Sequence, residues 1–371
     1  MDFTLDSETT ALRDAVRGLL SKVYDSSETR REVTTTDPGF GEKTWTRLAE
    51  LGVLGLPFAE EDGGFGAGPV EVGVVAAEIG RVIAPEPVIE AITAGGIVAD
   101  LGSAEQRADV IGRLAEGTLV LGLALHEIGE PVTATQDGDA WTLTGTKEPV
   151  LHGARADLLV VTAQTDAGLG VFLVDPSADV ERTGYRTHDG GRAARVTFQG
   201  ASAQLLGEPG DASQRALDQA IARARVAYGH EAVGAMETAL RTTTEYLKTR
   251  KQFGVTLNTF QALTFRAADM YVSVELAKSA VEWATLVLAD DPDRAVEAAE
   301  RVRVQVGKAS RHVGQEAIQL HGGIGMTAEY SVGHYTSRLT AIDHWLGTGD
   351  ELLTSLAGRV TTYGTLDPLP E

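Results

Sequence analysis

The chain has 371 residues, which is more than one hydrophobic core usually organises and predicts two or three packed domains. It contains no cysteine, which excludes disulfide bonds, thiolate metal ligands and a cysteine nucleophile. Its net charge of -21 argues against a nucleic-acid partner, because binding phosphates requires a basic surface.

The sequence gives no sign of a membrane or a metal. Its N-terminal segment is acidic and amphipathic, unlike a signal or transit peptide. The apolar runs are interrupted by glycine and charge before they reach the length needed to cross a bilayer. The eight histidines do not have the spacing of metal ligands. We therefore expect a cytoplasmic protein that binds no metal and contacts no membrane.

Residues 1–117 have the apolar spacing of helices. Trp45, Leu48 and Leu51 lie on one helical face, and an Ala- and Val-rich stretch predicts a helix that ends before Pro85 and Pro87. We expect an N-terminal helical domain over residues 1–117. Its later helices are predicted at residues 70–83, 87–100 and 104–116.

Residues 118–207 differ, because short β-branched runs alternate with Gly, Asp and Pro. The intervals between the runs lack the helices that a doubly wound nucleotide fold requires. A small antiparallel sandwich or barrel is predicted. The strands are expected at residues 118–125, 141–144, 158–163, 171–174 and 194–198.

Helical periodicity returns over residues 208–371 in four long stretches, which predicts a four-helix bundle. The predicted fold class is α+β, with an N-terminal helical domain, a central antiparallel β domain and a C-terminal four-helix bundle.

Two segments of the last domain carry specific motifs. The first runs Arg250, Lys251, Gln252, Phe253, Gly254 and is followed by Gln261. Its arginine stands at a predicted helix end, where a guanidinium can hold a pyrophosphate with two hydrogen bonds or can remain a solvated helix-end residue. The second contains Gln319, His321, Gly322, Gly323 and Gly325. Its paired glycines suit either a close approach of backbone to ligand or a turn between helices.

Together these segments resemble the two signatures of the acyl-CoA dehydrogenase family, and the resemblance covers nearly the whole chain. It implies an FAD-dependent enzyme of lipid metabolism that oxidises the Cα–Cβ bond of an acyl-CoA thioester and passes electrons to an electron-transfer flavoprotein. It also implies a cofactor site shared between subunits, hence a homotetramer or a heterotetramer with a related subunit. The cofactor contacts that it implies are Arg250, Gln252, Phe253, Gln261, Gln319, Gly322, Gly323 and Thr348.

The sequence departs from the family at the catalytic base. The family's Tyr-Glu-Gly-Thr stretch is matched by Trp345, Leu346, Gly347 and Thr348, so that leucine replaces the base. The alternative base position of some relatives falls on Ala224. Glu231, on roughly the same helix face, is the candidate base that remains, with Asp218 as a lesser alternative.

The β domain departs as well. Where the family has a Thr-Glu-Pro stretch and a Trp-x-Thr/Ser segment beside the flavin ring, this chain has Leu125, His126, Glu127 and then Pro149, Val150, Leu151. A hydroxyl that would bond near flavin N5 is missing, and Glu127 keeps the acidic position.

These observations leave three hypotheses. The chain is a working dehydrogenase with an unusual base, such as Glu231. Alternatively, it is a non-catalytic partner that completes the FAD sites of a related subunit. The third hypothesis is a flavin-dependent monooxygenase on the same fold, which needs no α-proton base. The sequence does not distinguish between acyl chains.

Overall fold

The computed structural model describes residues 5–176 and 179–363. Its first domain consists of six helices, three of which, α1, α2 and α6 in the order given below, begin at a short polar side chain that caps them. Asp6 accepts a hydrogen bond from the Thr9 amide, and Ser103 forms a reciprocal capping box with Gln106. The helices are α1 (Ser7–Val23), α2 (Ser27–Thr35), α3 (Glu42–Glu50), α4 (Pro69–Val82), α5 (Val88–Leu101) and α6 (Ala104–Ala115).

The most buried of these helices is α5, which is apolar on all sides. It packs against α6, against the first β-strand and against the first long helix of the C-terminal domain. Ile97 and Val98 are fully buried in the core of the first domain. Because α5 touches all three domains, residues at its start lie where the domains meet.

The middle domain is a single mixed sheet. Its strands are β1 (Leu121–Ala124), β2 (Thr133–Asp137), β3 (Ala140–Leu151), β4 (Leu158–Thr165), β5 (Gly168–Val174), β6 (Val180–Arg186) and β7 (Arg192–Leu206). The pairings β4–β2, β2–β3, β3–β7, β7–β5 and β5–β4 form a closed ring, and β6 pairs with β7 outside it. Most pairings are antiparallel as predicted, but β1 and β2 both run parallel to β4.

Two strands, β2 and β6, were not predicted, and the physical reason is their exposure. Four of the five residues of β2 are exposed, as are most of β6, so neither shows the alternation of buried and exposed side chains. Both are held by main-chain pairing to longer neighbours, β3 and β7. The predicted α+β fold class is confirmed.

The C-terminal domain is helical. Three long helices, α7 (Asp211–Thr249), α8 (Gln261–Asp290) and α9 (Ala295–His321), are followed by the shorter α10 (Ser331–His344) and α11 (Gly349–Gly358). A two-strand hairpin, β8 (Lys251–Gln252) and β9 (Val255–Thr256), separates α7 from α8. No helix within the described ranges is long and apolar enough to cross a membrane.

Candidate functional site

The first motif forms the hairpin at the end of α7. Arg250 is the C-cap of this helix, and its amide donates to the Tyr246 carbonyl at 2.8 Å. Phe253 and Gly254 both have positive φ, at 53° and 85°, which is the backbone required by a two-residue hairpin turn. Glycine adopts this conformation freely, whereas phenylalanine is strained in it. The Phe253 side chain is 92% exposed.

The second motif lies beside the first. The aromatic ring of Tyr246, one turn before Arg250, packs against His321 with centroids 4.5 Å apart, and Tyr330 contacts the same histidine at 4.9 Å. His321 is the last residue of α9, and the paired glycines follow it directly. Folding therefore brings the two motifs to one end of the helical bundle, as a shared binding site requires.

We call this region the signature end, defined by the seven residues with a predicted cofactor contact that lie in it. All seven are exposed on the isolated chain. A side chain built on Gly322 or Gly323 would meet nothing within 4 Å, so the glycines leave an open surface. The seven residues are Arg250, Gln252, Phe253, Gln261, Gln319, Gly322 and Gly323.

Thr348, the eighth predicted contact, lies elsewhere and has another role in the structure. Its hydroxyl accepts a hydrogen bond from the Glu351 amide at 3.2 Å, and the Glu351 carboxylate accepts from the Thr348 amide. This capping box starts α11. The contact of Thr348 with a cofactor stays a prediction.

At the opposite end of α10, Leu346 sits in a loop held by two arginines. Leu346 has a φ of 61°, a left-handed backbone that is unusual for leucine. Arg225 donates from Nε and Nη2 to the Leu346 carbonyl at 2.9 and 2.8 Å. Arg303, only 1% exposed, donates to the carbonyls of Trp345 and Gly347 at 3.0 and 3.3 Å. The position that carries the base in the family is thus fixed but bears an apolar side chain.

A small cavity of about 40 Å³ adjoins this loop, and we call it the Leu346 pocket. Four of the β-domain positions at which the sequence departs from the family are in its wall, together with Leu123. Burial lowers the pKa of His126, and nearby Lys147 lowers it further. Glu127 is engaged elsewhere, in an ion pair with the fully buried Lys147. The departing residues that line the pocket are Leu125, His126, Pro149 and Leu151.

Glu231, the predicted base, is part of a buried ionic cluster. It is 0% exposed and receives two hydrogen bonds from Arg338, at 2.6 Å from Nε and 3.1 Å from Nη2. Arg338 also donates to Asp189 at 2.8 Å. Burial alone would lower the pKa of Arg338, but Glu231 and Asp189 raise it well above its ordinary value. Glu231 is not among the side chains that line the Leu346 pocket in the described chain.

The carboxylate that does line this pocket was missed by sequence reasoning. Glu90, in the first turn of α5, is half-buried there, and Tyr228 donates a hydrogen bond to its Oε1 at 2.9 Å. Burial raises the pKa of Glu90. No motif surrounds this residue, and an acidic residue in a first helical turn is ordinary, so the sequence carries no signal for it.

Comparison with known proteins agrees with this arrangement. Residues 6–118 match the acyl-CoA dehydrogenase N-terminal domain and residues 213–361 match the acyl-CoA dehydrogenase C-terminal domain. Acyl-CoA dehydrogenase FadE27 of Mycobacterium tuberculosis is 30% identical, over 90% of this chain and 92% of that protein.

Two solved structures are similar over almost the full length. The ChsE4-ChsE5 complex from Mycobacterium tuberculosis has a TM-score of 0.90 at 27% identity and covers 99% of this chain and 100% of its own. The Tcur3481-Tcur3483 steroid ACAD variant has a TM-score of 0.89 at 30% identity and covers 97% and 99%. The chain belongs to the acyl-CoA dehydrogenase family, whose members are FAD-dependent oxidoreductases.

Proposed function

We propose that this chain is the partner subunit of a heteromeric acyl-CoA dehydrogenase. In this proposal its signature end completes the FAD site of a related, catalytic subunit, which performs the α,β-dehydrogenation of the acyl-CoA thioester. Its own Leu346 pocket does not perform the reaction. The observation that carries the proposal is the contrast between the exposed, polar signature end and the small, largely apolar pocket.

The signature end suits the pyrophosphate and adenosine side of FAD. Arg250 and Gln261 offer exposed donors at the two ends of the β8–β9 connection, and the backbone at Gly322 and Gly323 is open to a ligand. The 14 residues of α10 separate this end from the Leu346 loop, a distance of roughly 20 Å at 1.5 Å per residue. Residues exposed so far from the chain's own pocket are well placed to serve a neighbouring subunit.

The Leu346 pocket does not suit the flavin ring. A planar three-ring system needs several times the roughly 40 Å³ available, and the pocket walls offer proline and leucine where family members offer ring contacts. The base position is leucine, and Glu231 is neutralised by Arg338. The pocket therefore offers neither a base at the family position nor room for the flavin ring.

Assembly with another chain is supported by the surface of α8. Phe265, Val272, Leu276 and Trp283 are between 39% and 58% exposed. Their spacing of 7, 4 and 7 residues places them along one stripe of the helix. With the exposed Phe253 ring, this stripe leaves apolar surface that a neighbouring subunit would cover.

The relatives are consistent with a two-chain enzyme. Two of the similar solved structures are described as pairs, ChsE4-ChsE5 and Tcur3481-Tcur3483, and the second is described as a steroid ACAD. By extension we propose a heterotetramer acting on a bulky acyl-CoA in the cytoplasm, with an electron-transfer flavoprotein as electron acceptor. The tetramer, the acyl group, the compartment and the acceptor all rest on this resemblance.

A tagged chain purified from its native cell tests the proposal. We expect a second, related chain that carries glutamate at a family base position, with one FAD for each pair of chains. We also expect the Arg250→Ala variant to keep the partner but lose FAD. A homotetramer with one FAD per chain that acyl-CoA reduces would contradict the proposal. Turnover that requires a reductant and oxygen would show a monooxygenase instead.

A further inference from the structure

The chain has four methionines and no cysteine, so thioethers are its only sulfur groups. Met236 and Met270 belong to the core of the helical bundle and are 0% exposed. Met326, by contrast, is 80% exposed. Met1 lies outside the described residues. Within the described ranges, Met326 is therefore the one sulfur-bearing side chain that a dissolved oxidant reaches without unfolding the chain.

The backbone on both sides of Met326 is fixed. Gly325, directly before it, is buried, and a side chain built there would come within 3.0 Å of the His321 side chain. Thr327, directly after it, donates from its amide and its hydroxyl to the Ile324 carbonyl at 3.1 and 2.9 Å. The fold therefore holds Met326 at one place and leaves its side chain outside the core. A chemical change at the sulfur acts on the surface around it and not on the packing of the bundle.

This place is the edge of the signature end. Met326 follows Gly323 by three residues and ends the short turn that comes directly after α9. In the same turn Ile324 is 42% exposed, so two apolar side chains stand beside the open backbone of the paired glycines. Methionine is enriched where protein surfaces meet, because its flexible thioether adapts to many shapes. In the proposed function, this apolar edge packs against the neighbouring subunit whose FAD the signature end completes.

We propose that Met326 is a site of reversible oxidation by peroxide, and that its sulfoxide prevents the signature end from completing a neighbour's FAD site. The second part rests on the proposed function. In the forward step, hydrogen peroxide transfers one oxygen to the thioether: the O–O bond breaks, an S–O bond forms, sulfur loses two electrons and the other oxygen leaves as water. In the reverse step, a methionine sulfoxide reductase removes that oxygen as water while a dithiol is oxidised to a disulfide.

The two forms of the side chain differ in polarity, and polarity decides the contact. The thioether is apolar, whereas the sulfoxide is polar and loses its hydrogen bonds to water when a neighbour covers it. A subunit that covers the edge formed by Ile324 and Met326 therefore binds the oxidised chain more weakly. The same covering shields the thioether from peroxide in the assembled enzyme. Oxidation thus acts on the unassembled chain and keeps it unassembled.

Peroxide treatment of the full chain tests the site itself, and it needs neither FAD nor a partner. The chain alone is treated with hydrogen peroxide, catalase removes the excess, and mass spectrometry of peptides follows oxidation over time. We expect Met326 to be oxidised at least about tenfold faster than Met236 and Met270, since susceptibility follows exposure. The urea unfolding midpoint should stay unchanged, because the sulfur lies outside the core. Comparable rates for the three methionines, or a lowered midpoint, would overturn the proposal.

FAD retention tests the consequence of the oxidation. The untreated and the oxidised chain are each mixed with FAD and with the chain that co-purifies with this protein, and flavin absorbance is read after gel filtration. We expect the oxidised chain to retain at least about fivefold less FAD, and methionine sulfoxide reductase with dithiothreitol to restore it. In the untreated assembly, oxidation of Met326 should be at least about tenfold slower than in the free chain. Equal FAD retention before and after oxidation would overturn the proposal.

Two variants assign the effect to this sulfur. Met326→Leu keeps an apolar side chain of similar size that peroxide does not oxidise, so the treatment should leave its FAD retention unchanged. Met326→Gln carries a polar side chain of similar length, so it should retain as little FAD as the oxidised chain before any peroxide is added. A loss of FAD from peroxide-treated Met326→Leu would assign the effect to another group and contradict the proposal.

FAD retention by the untreated assembly separates this inference from the proposed function. If the untreated assembly retains FAD and the oxidised one retains the same amount, only the role of Met326 fails. If the untreated chain completes no FAD site, the proposed function fails and the control of FAD fails with it. The oxidation rates then still decide whether Met326 is the modified site.

Discussion

The two ends of α10 differ in nearly every physical property that matters for a cofactor. Near Tyr330, the signature end is exposed, polar and rich in glycine, and its backbone is open. Near Leu346, the chain is packed between three domains, its cavity is small, and its walls are mostly apolar. In the proposed function, the signature end supplies the residues that a neighbouring subunit's FAD needs, whereas the pocket lacks those that its own chemistry would need.

Under the proposed function, this contrast means that two halves of one family site are retained separately. A site shared between subunits places part of its residues on each chain, so one chain can lose its base and ring contacts while it still supports its neighbour. The two groups of residues differ in their exposure to solvent and in the contacts they make within the chain. Arg250 and Phe253 are exposed on the isolated chain. Arg225 and Arg303 instead donate hydrogen bonds to carbonyls of the Leu346 loop.

The largest expected effect concerns Glu231, which belongs to the scaffold in this account. Glu231→Gln removes one partner of a fully buried ion pair and leaves Arg338 with Asp189 alone, so we expect the free energy of unfolding to fall by about 3 kcal/mol. Urea unfolding measures this change.

Glu237→Gln is the matched control on the same helix. Glu237 is 36% exposed and pairs with Lys278 at 3.4 Å, so its loss should change the unfolding free energy by less than about 1 kcal/mol. If Glu231→Gln keeps full stability but abolishes acyl-CoA turnover, Glu231 is the base and the division between the two ends fails.

The next effect is a pH dependence of the free energy of unfolding, which tests whether water reaches two buried histidines near the pocket. Burial lowers the pKa of both His152, which follows the pocket residue Leu151, and His230 to about 4. Above pH 6.5 both are neutral in the folded and unfolded chain, so stability is complete there. As the pH falls from 6.5 toward 4, both histidines are protonated in the unfolded chain but remain neutral in the folded chain, which lowers the free energy of unfolding. The two histidines together should lower the free energy of unfolding by about 2 kcal/mol between pH 7 and pH 5.5. Buried Glu86, whose pKa is raised to about 7, opposes this loss, because the folded chain takes up its proton over the same range.

Unfolding by urea at a series of pH values measures this slope. His152→Gln should remove about half of the histidine contribution, because one of the two titrating histidines is gone. If the difference in stability between the wild type and His152→Gln stays constant from pH 7 to pH 5.5, water reaches this histidine.

A smaller effect is expected at the signature end. Arg250→Ala should weaken FAD binding by the assembled enzyme at least about tenfold, because a charge-assisted contact is lost. The isolated chain should keep its unfolding free energy within about 0.5 kcal/mol, since Arg250 is exposed. Flavin absorbance after gel filtration gives the first quantity. Lys248→Ala, an exposed cation at the end of the same helix, is the control and should retain flavin.

The smallest expected effect is that of restoring the base. Leu346→Glu returns a carboxylate to the family position, but we expect no gain of acyl-CoA oxidation by the chain alone. The reason is that Pro149 and Leu151 still line the pocket, whose volume is only about 40 Å³. Anaerobic absorbance with an acyl-CoA checks this, and activity in this variant would show that only the base is missing.

The sequence predicts much of the fold because its strongest signals are local and periodic. Helices α4 to α6 begin and end close to the predicted residues, where Pro69 and the Ser103 cap mark the boundaries. Strands β2 and β6 could not be predicted, because they are exposed and are held by pairing to β3 and β7.

The candidate site also has one part that local sequence motifs predict and another part that depends on contacts between distant segments. Contiguous motifs gave the residues of the signature end, which folding then brings together through Tyr246 and His321. The partner of Glu231 is Arg338, far along the chain, so helix periodicity placed the carboxylate on a face without showing what it meets. Glu90 enters the Leu346 pocket only because α5 packs against both other domains, and no local pattern records that contact.

Under the proposed function, this chain supports a neighbour's FAD and does not reduce one of its own. The decisive experiment is an anaerobic titration of the chain expressed alone with a panel of acyl-CoAs, followed by flavin absorbance. We predict protein that holds little or no flavin, with no bleaching of added FAD by any thioester. Bleaching would contradict the claim, and its loss in Glu90→Gln or in Glu231→Gln would identify the base that the pocket uses.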